Sequence, residues 1–247
     1  MTTTLKSPQT ANDGSRLRAL VVTNPILGPV ARAIVRTPIV EELRRRFAFK
    51  GSSDYWEKRY QTGRTSGAGS YGRLANFKAE VLNDFVERDA INSVIEFGCG
   101  DGTQLSLAKY PTYVGVDVAQ GSIDLCQKRF AGDASKRFFL ANQIPVDLGR
   151  FDLALSLDVV YHLVEDEVFE PYMRSLFEHA GRFVIIYSSN KVEPSGVPHV
   201  RHRKFTDWID KHAPEWKQSG FTPNRYPLNA INEDETSFAD FYFFSRV

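Results

Sequence analysis

From Asn92 onward the chain alternates short apolar runs with amphipathic stretches. NSVIEFG, TYVGVDV, RFFLA, FDLALSL and RFVIIYS are apolar enough to read as buried strands. Between them, DGTQLSLAKY, SIDLCQKRF and DEVFEPYMRSLFEHA carry helical spacing. Strands alternating with helices predict βαβ units and a mostly parallel sheet covered on both faces. The rhythm changes near the end, where KFTDWIDKHAPEW predicts a helix and TSFADFYFFSRV a last aromatic-rich strand, suited to antiparallel insertion. Upstream, Phe77, Val81, Leu82, Phe85 and Val86 predict a helix ending near Asp89. It follows GRTSGAGSYG, whose four glycines in ten residues exclude a stable helix.

The first 75 residues differ in character. Residues 1–15 have the Thr, Ser, Pro, Asn and Gly content of a disordered tail. Residues 16–75 predict a helical extension and lid, and residues 76–247 the main domain. The extension either packs on the main domain or on a second copy as a homodimer, or forms a basic amphipathic surface; Pro25, Pro29 and Pro38 weaken the last reading. Residues 1–50 hold nine basic and three acidic residues, and the remainder 22 and 27, so the chain totals +1. That balance carries no polybasic signature, and nucleic acid is not an expected partner. Cys99 and Cys126 make neither a disulfide framework nor a zinc set, which fits a reduced, cytoplasmic setting. The polar start lacks the pattern of a secretory signal, and ALVVTNPILGPVA is too short and too interrupted to span a bilayer.

VIEFGCGDG carries the chemistry. A buried strand runs into a glycine-rich turn, with the spacing E-x-G-x-G-x-G at Glu96, Gly98, Gly100 and Gly102. This is neither the dinucleotide spacing nor the phosphate loop, whose lysine is missing. The turn lets backbone approach a ligand, and Asp117 at the end of YVGVDV is placed to grip ribose hydroxyls.

These residues, with LSLDVVYHL, resemble the class I S-adenosylmethionine-dependent methyltransferases, over about Ser93 to Val247. The resemblance implies a Rossmann-like sheet of seven strands, the last antiparallel, with S-adenosylmethionine across the strand ends. It implies that Gly98, Gly100 and Asp101 flank the methionine part and that Asp117 holds the ribose. Val118, Asn142 and Gln143 would frame the adenine, and Asp158 would close the site. Glu96 is expected to steady the loop or the amino group. Many relatives carry a lid before the first strand; Tyr60 and Ser70 are the expected cofactor contacts there, and Tyr71 an acceptor contact. The whole pattern, from YWEKRY through GSYGRL to HVRHRKF, is similar to methyltransferases of bacterial polysaccharide and glycan biosynthesis.

An alcohol acceptor needs a base or a metal, whereas nitrogen and thiolate acceptors need little beyond alignment. SLDVVYHLVEDE offers Asp158 and His162, and HVRHRKF offers His199 and His202. Arg201, Arg203 and Trp208 are the expected acceptor contacts, the tryptophan as a face for a sugar ring. His162 reads either as the base or as a packed, orienting histidine. A divalent metal among Asp158, Glu165, Asp166, Glu167 and His162 is the less favoured alternative, since acids at a helix start are explained by its dipole. The leading reading is O-methylation of a saccharide hydroxyl. A phenolic or natural-product acceptor and a non-catalytic subunit of the same fold are the alternatives.

Overall fold

The computed structural model describes residues 49–247; the tail, and residues 16–48 of the extension with its proposed dimer contact, lie outside them. Two helices come first, α1 (Ser52–Gln61) and α2 (Gly72–Arg88). Then follow β1 (Ser93–Phe97), β2 (Thr112–Asp117), α3 (Gln120–Arg129), β3 (Lys136–Leu140) and β4 (Phe151–Leu157). The chain closes with α4 (Asp166–Glu178), β5 (Ala180–Ser188), α5 (Phe205–His212), β6 (Trp216–Thr222) and β7 (Asp240–Arg246). The seven strands form one sheet in the order β3-β2-β1-β4-β5-β7-β6, with β7 antiparallel to both neighbours. This is the Rossmann-like class I methyltransferase sheet the sequence predicts.

Alternate residues of the central strands feed two cores. Val94, Leu153, Leu155, Ile185 and Tyr187 pack with α2 and α3 on one face. Ile95, Ala154, Val184 and Ile186 pack with α4 and α5 on the other. Because both faces are covered, the strands read as unbroken apolar runs.

Two expectations fail. DGTQLSLAKY is not a helix but a set of turns with one short 3-10 segment at Leu105–Leu107. Gly102 turns the chain at φ 73°, and Pro111 stops it nine residues later, before β2. Asn83 of α2 supplies the bonds a helix would have made, donating to Leu107 O and accepting from Lys109 N. KFTDWIDKHAPEW is helical only to His212; Pro214 blocks continuation, and Trp216 already opens β6. That strand escapes a pattern search because it lies at the sheet edge and buries little beyond Trp216.

The order places β1 between β2 and β4, so crossovers leave in opposite directions and a crevice opens beyond their carboxyl ends. Helix α2 is held beside it by Phe77, which packs edge-on against Phe241 of β7 at 5.8 Å. Phe241 is fully buried and also packs on Tyr187 at 4.6 Å. Phe241→Ala is therefore expected to cost about 3–5 kcal/mol in urea unfolding, against little change for Phe221→Ala on the exposed edge.

Candidate active site

Beyond the ends of β1, β2 and β4 lies a cavity of about 500 Å³. Its floor is the glycine turn. Gly98 N and Cys99 N donate to Val116 O of β2, and Gly100 N donates to the Asp117 carboxylate at 3.0 Å. The other Asp117 oxygen accepts from Ala119 N at 3.0 Å. Burial raises the Asp117 pKa, opposed by these N–H bonds. Asp117 thus pins the turn to β2 while lining the cavity.

Protein packing, as well as ligand approach, demands these glycines. A Cβ on Gly98 would sit 2.3 Å from Val159 Cγ2, and one on Gly100 would sit 2.5 Å from Ser66 Oγ. Both glycines have positive φ, 87° and 58°.

Ser66 belongs to the stretch after α1, which lies over the turn. Ser66 Oγ accepts from Asp101 N at 2.9 Å, and Asp101 Oδ2 accepts from Ser66 N at 3.1 Å. The Tyr71 hydroxyl donates to the same oxygen at 2.7 Å, and the Tyr60 hydroxyl pairs with Ser66 Oγ at 2.9 Å. Asp101, expected beside the methionine part, instead latches this segment; its pKa is lowered because these hydrogen bonds outweigh a burial effect in the opposite direction. Tyr71 is committed to the latch and lies off the cavity wall, whereas Tyr60 and Ser70 are on it.

The adenine-side expectation is half met by position. Val118 lines the cavity, but Asn142 and Gln143 are exposed and do not; Ala141 and Ile144 stand in their place. The polar pair turns outward and leaves an apolar slot.

Asp158 follows β4 and adopts φ 59°, a left-handed conformation rare for a side chain other than glycine or asparagine. Its carboxylate accepts from Lys78 Nζ at 2.5 Å and from the Tyr161 hydroxyl at 2.9 Å. Lys78 of α2 is 1% exposed and lines the cavity, yet nothing in the sequence marks it. It looks like one polar residue on an amphipathic helix. Glu96, also on the wall, accepts from the Tyr113 hydroxyl at 2.7 Å, and burial pushes its pKa up to about 7.

The histidines separate. His162 lines the cavity; its Nδ1 donates to His199 O at 2.8 Å, leaving Nε2 without a partner among the described residues. Burial, the largest influence, lowers its pKa to about 4. His199 lies behind it, the rings 5.5 Å apart and nearly parallel. His202 bonds Ser189 Oγ at 2.8 Å and packs against Phe238, off the cavity wall.

Three expected acceptor contacts are placed elsewhere. Arg201 and Arg203 donate to Val164 O, Leu163 O and Asp166, fixing the turn into α4. Trp208 packs among Phe169, Phe177 and His212 on the α4 side. Trp56 of α1, edge-on to His162 at 4.9 Å, does reach the cavity, as do Tyr60, Phe97 and Tyr172. Glu165 holds the N-cap position of α4, but its carboxylate accepts from Ser52 N and Oγ instead of capping. No cluster of acids, cysteines and histidines suited to a metal occurs among the described residues.

Residues 94–181 match a family described as "Methyltransferase domain". Among solved structures, the N-methyltransferase NodS from Bradyrhizobium japonicum WM9, with S-adenosyl-L-homocysteine, superposes at TM-score 0.63 and 13% identity, covering 80% of this chain and 99% of that one. Magnesium protoporphyrin IX methyltransferase (ChlM) from Synechocystis PCC 6803, with bound SAM, gives 0.51 at 16% identity over 89% and 96%. The small RNA methyltransferase HEN1 gives 0.51 at 16% over 72% and 26%. No curated protein sequence matches the chain. At these identities the structures share the fold. The family match spans residues 94–181, and the superpositions share the Rossmann-like class I methyltransferase fold.

Gly100→Ala is expected to destabilise by about 1–3 kcal/mol through its left-handed φ and the Ser66 clash. It should also speed proteolysis of residues 62–71, whereas Gly132→Ala, facing open space, should change neither.

Proposed function

We propose that the chain is an S-adenosylmethionine-dependent O-methyltransferase acting on a saccharide hydroxyl, with His162 as the base. The observation that carries this reading is the His162 imidazole on the cavity wall, its Nδ1 committed to His199 O and its Nε2 lone pair free among the described residues. The residues suit the donor. Gly98 brings bare backbone to the cavity, Asp117 offers a carboxylate for ribose hydroxyls, and Val118, Ala141 and Ile144 form an apolar slot for adenine. Asp158 and Lys78 present opposite charges side by side, matching the ammonium and carboxylate of the donor's amino-acid end.

When bound, S-adenosylmethionine supplies a methyl group on a positively charged sulfur, and transfer is an in-line displacement that depends chiefly on alignment. An alcohol becomes strongly acidic only as its oxygen takes the methyl group. A base of low pKa then suffices, provided it is neutral and oriented. His162 meets both conditions near pH 7: a pKa of about 4 keeps it unprotonated, and the bond to His199 O fixes the tautomer. The closed segment over the turn keeps water from the reacting atoms. Trp56 offers the ring face for a sugar that Trp208 does not, with Ser53 and Glu167 nearby on the wall as hydroxyl partners. A phenol is the second reading, favoured by the same aromatic wall, and it needs the base less.

Donor binding is testable by calorimetry with S-adenosyl-L-homocysteine. Lys78→Met should weaken that ligand about tenfold or more. It should leave 5′-methylthioadenosine, which lacks the amino-acid end, within about twofold of wild type. Equal losses for both ligands would remove the Lys78 role, and wild-type binding to neither would remove the donor.

Acceptor and base are read by labelled methyl transfer to panels of saccharides, phenols and amines. Saccharide labelling is expected, with His162→Ala losing about a hundredfold or more of kcat and binding S-adenosyl-L-homocysteine normally. As pH falls toward 4, protonation of His162 should abolish wild-type turnover with an apparent pKa below the ordinary histidine value. Labelling confined to phenols or amines would overturn the saccharide assignment, and full activity of His162→Ala the base.

A further inference from the structure

Helix α1 touches both halves of the site. Through Tyr60 and the following Ser66 it reaches the glycine turn, and Glu57 accepts from Gln120 N at the start of α3 at 2.9 Å. Tyr55, on the same helix, reaches the histidine loop after β5. The Tyr55 ring stacks on His199 with centroids 4.3 Å apart and planes 12° off parallel. Arg59 donates to the Tyr55 hydroxyl at 3.2 Å, and the same hydroxyl pairs with His199 Nε2 at 3.3 Å. Arg59 Nε in turn donates to Thr65 O at 2.6 Å, next to Ser66.

The consequence falls on His162. Its only side-chain hydrogen bond among the described residues is to the carbonyl of His199, on a loop without regular structure. A carbonyl on such a loop fixes a tautomer only while the loop itself is fixed. The hydrogen bonds and stacks available to the His199 side chain come from Tyr55 and His162. Neither Tyr55 nor His199 lines the cavity, so neither acts by touching a ligand there.

We infer that Tyr55 is a positioning residue for the reaction: by clamping His199 it fixes the carbonyl that orients His162, so that the helix closing over the donor also sets the base. The inference rests on the proposed role of His162 and gives α1 two linked duties. Closure over the glycine turn brings Tyr60 and Ser66 to Asp101, and the same rigid helix brings Tyr55 to His199. Trp56, between Tyr55 and the cavity, packs its ring against His162 and limits its rotation.

The test reads the His162 ring directly, by nitrogen NMR of full-length protein labelled at histidine, with the signal assigned through His162→Gln. In wild type saturated with S-adenosyl-L-homocysteine, one tautomer is expected, protonated at Nδ1. In Tyr55→Ala, S-adenosyl-L-homocysteine should bind within about twofold of wild type, while His162 shows a mixture of tautomers. Tyr55→Phe, which keeps the stack and drops the hydroxyl, should fall between the two and guards against a misfolded alanine variant. An unchanged single tautomer in both variants overturns the proposal. Loss of ligand binding matching any tautomer change also overturns it, because Tyr55 would then serve the donor site. The base itself is judged separately by turnover of His162→Gln, so the positioning role and the base can fail independently.

Discussion

The site depends on the backbone bonds that hold the glycine turn between β2 and the segment after α1. Asp117 takes Gly100 N from one side, and Ser66 takes Asp101 N from the other. A turn with three positive-φ glycines has no regular bonding of its own, so its shape comes from these neighbours. Once pinned, it presents bare backbone to the cavity, and Val159 of the β4 loop can pack directly on Gly98. Cavity, covering segment and β4 loop are therefore one connected arrangement.

Charge is distributed to match. The cavity wall carries a buried pair, Lys78 and Asp158, where a lone charge would be costly. Glu96, close by and without a cation as hydrogen-bond partner, answers with a pKa raised to about 7. His162 answers the same burial with the opposite shift, toward the neutral form. Burial thus shifts both Glu96 and His162 toward their neutral forms on the cavity wall.

Local pattern carried much of the fold and less of the site. Strands buried on both faces announce themselves as apolar runs, as FDLALSL does, because no alternation interrupts them. Glu96, Gly98, Gly100 and Asp117 could be found because their spacing along a strand and turn is itself the signal. WKQSGFT went unseen because an edge strand buries too little to leave a pattern. The segment after Gly102 read as a helix because nothing local reveals that Asn83 holds it otherwise. Arg201, Arg203 and Trp208 looked like acceptor contacts from their company in sequence, yet they face α4 and its entry turn.

By itself the sequence determined the succession of the first five strands, the glycine turn and the acid that ends β2, since each follows from short-range spacing and backbone sterics. Tertiary structure alone decided that Lys78 meets Asp158 across 80 residues and that His162 leans on His199 rather than on the acids beside it. It also decided that Tyr55 stacks on a histidine 144 positions away. Those pairings are set by how the sheet orders its strands and where α1 and α2 pack. No window of neighbouring residues contains that information.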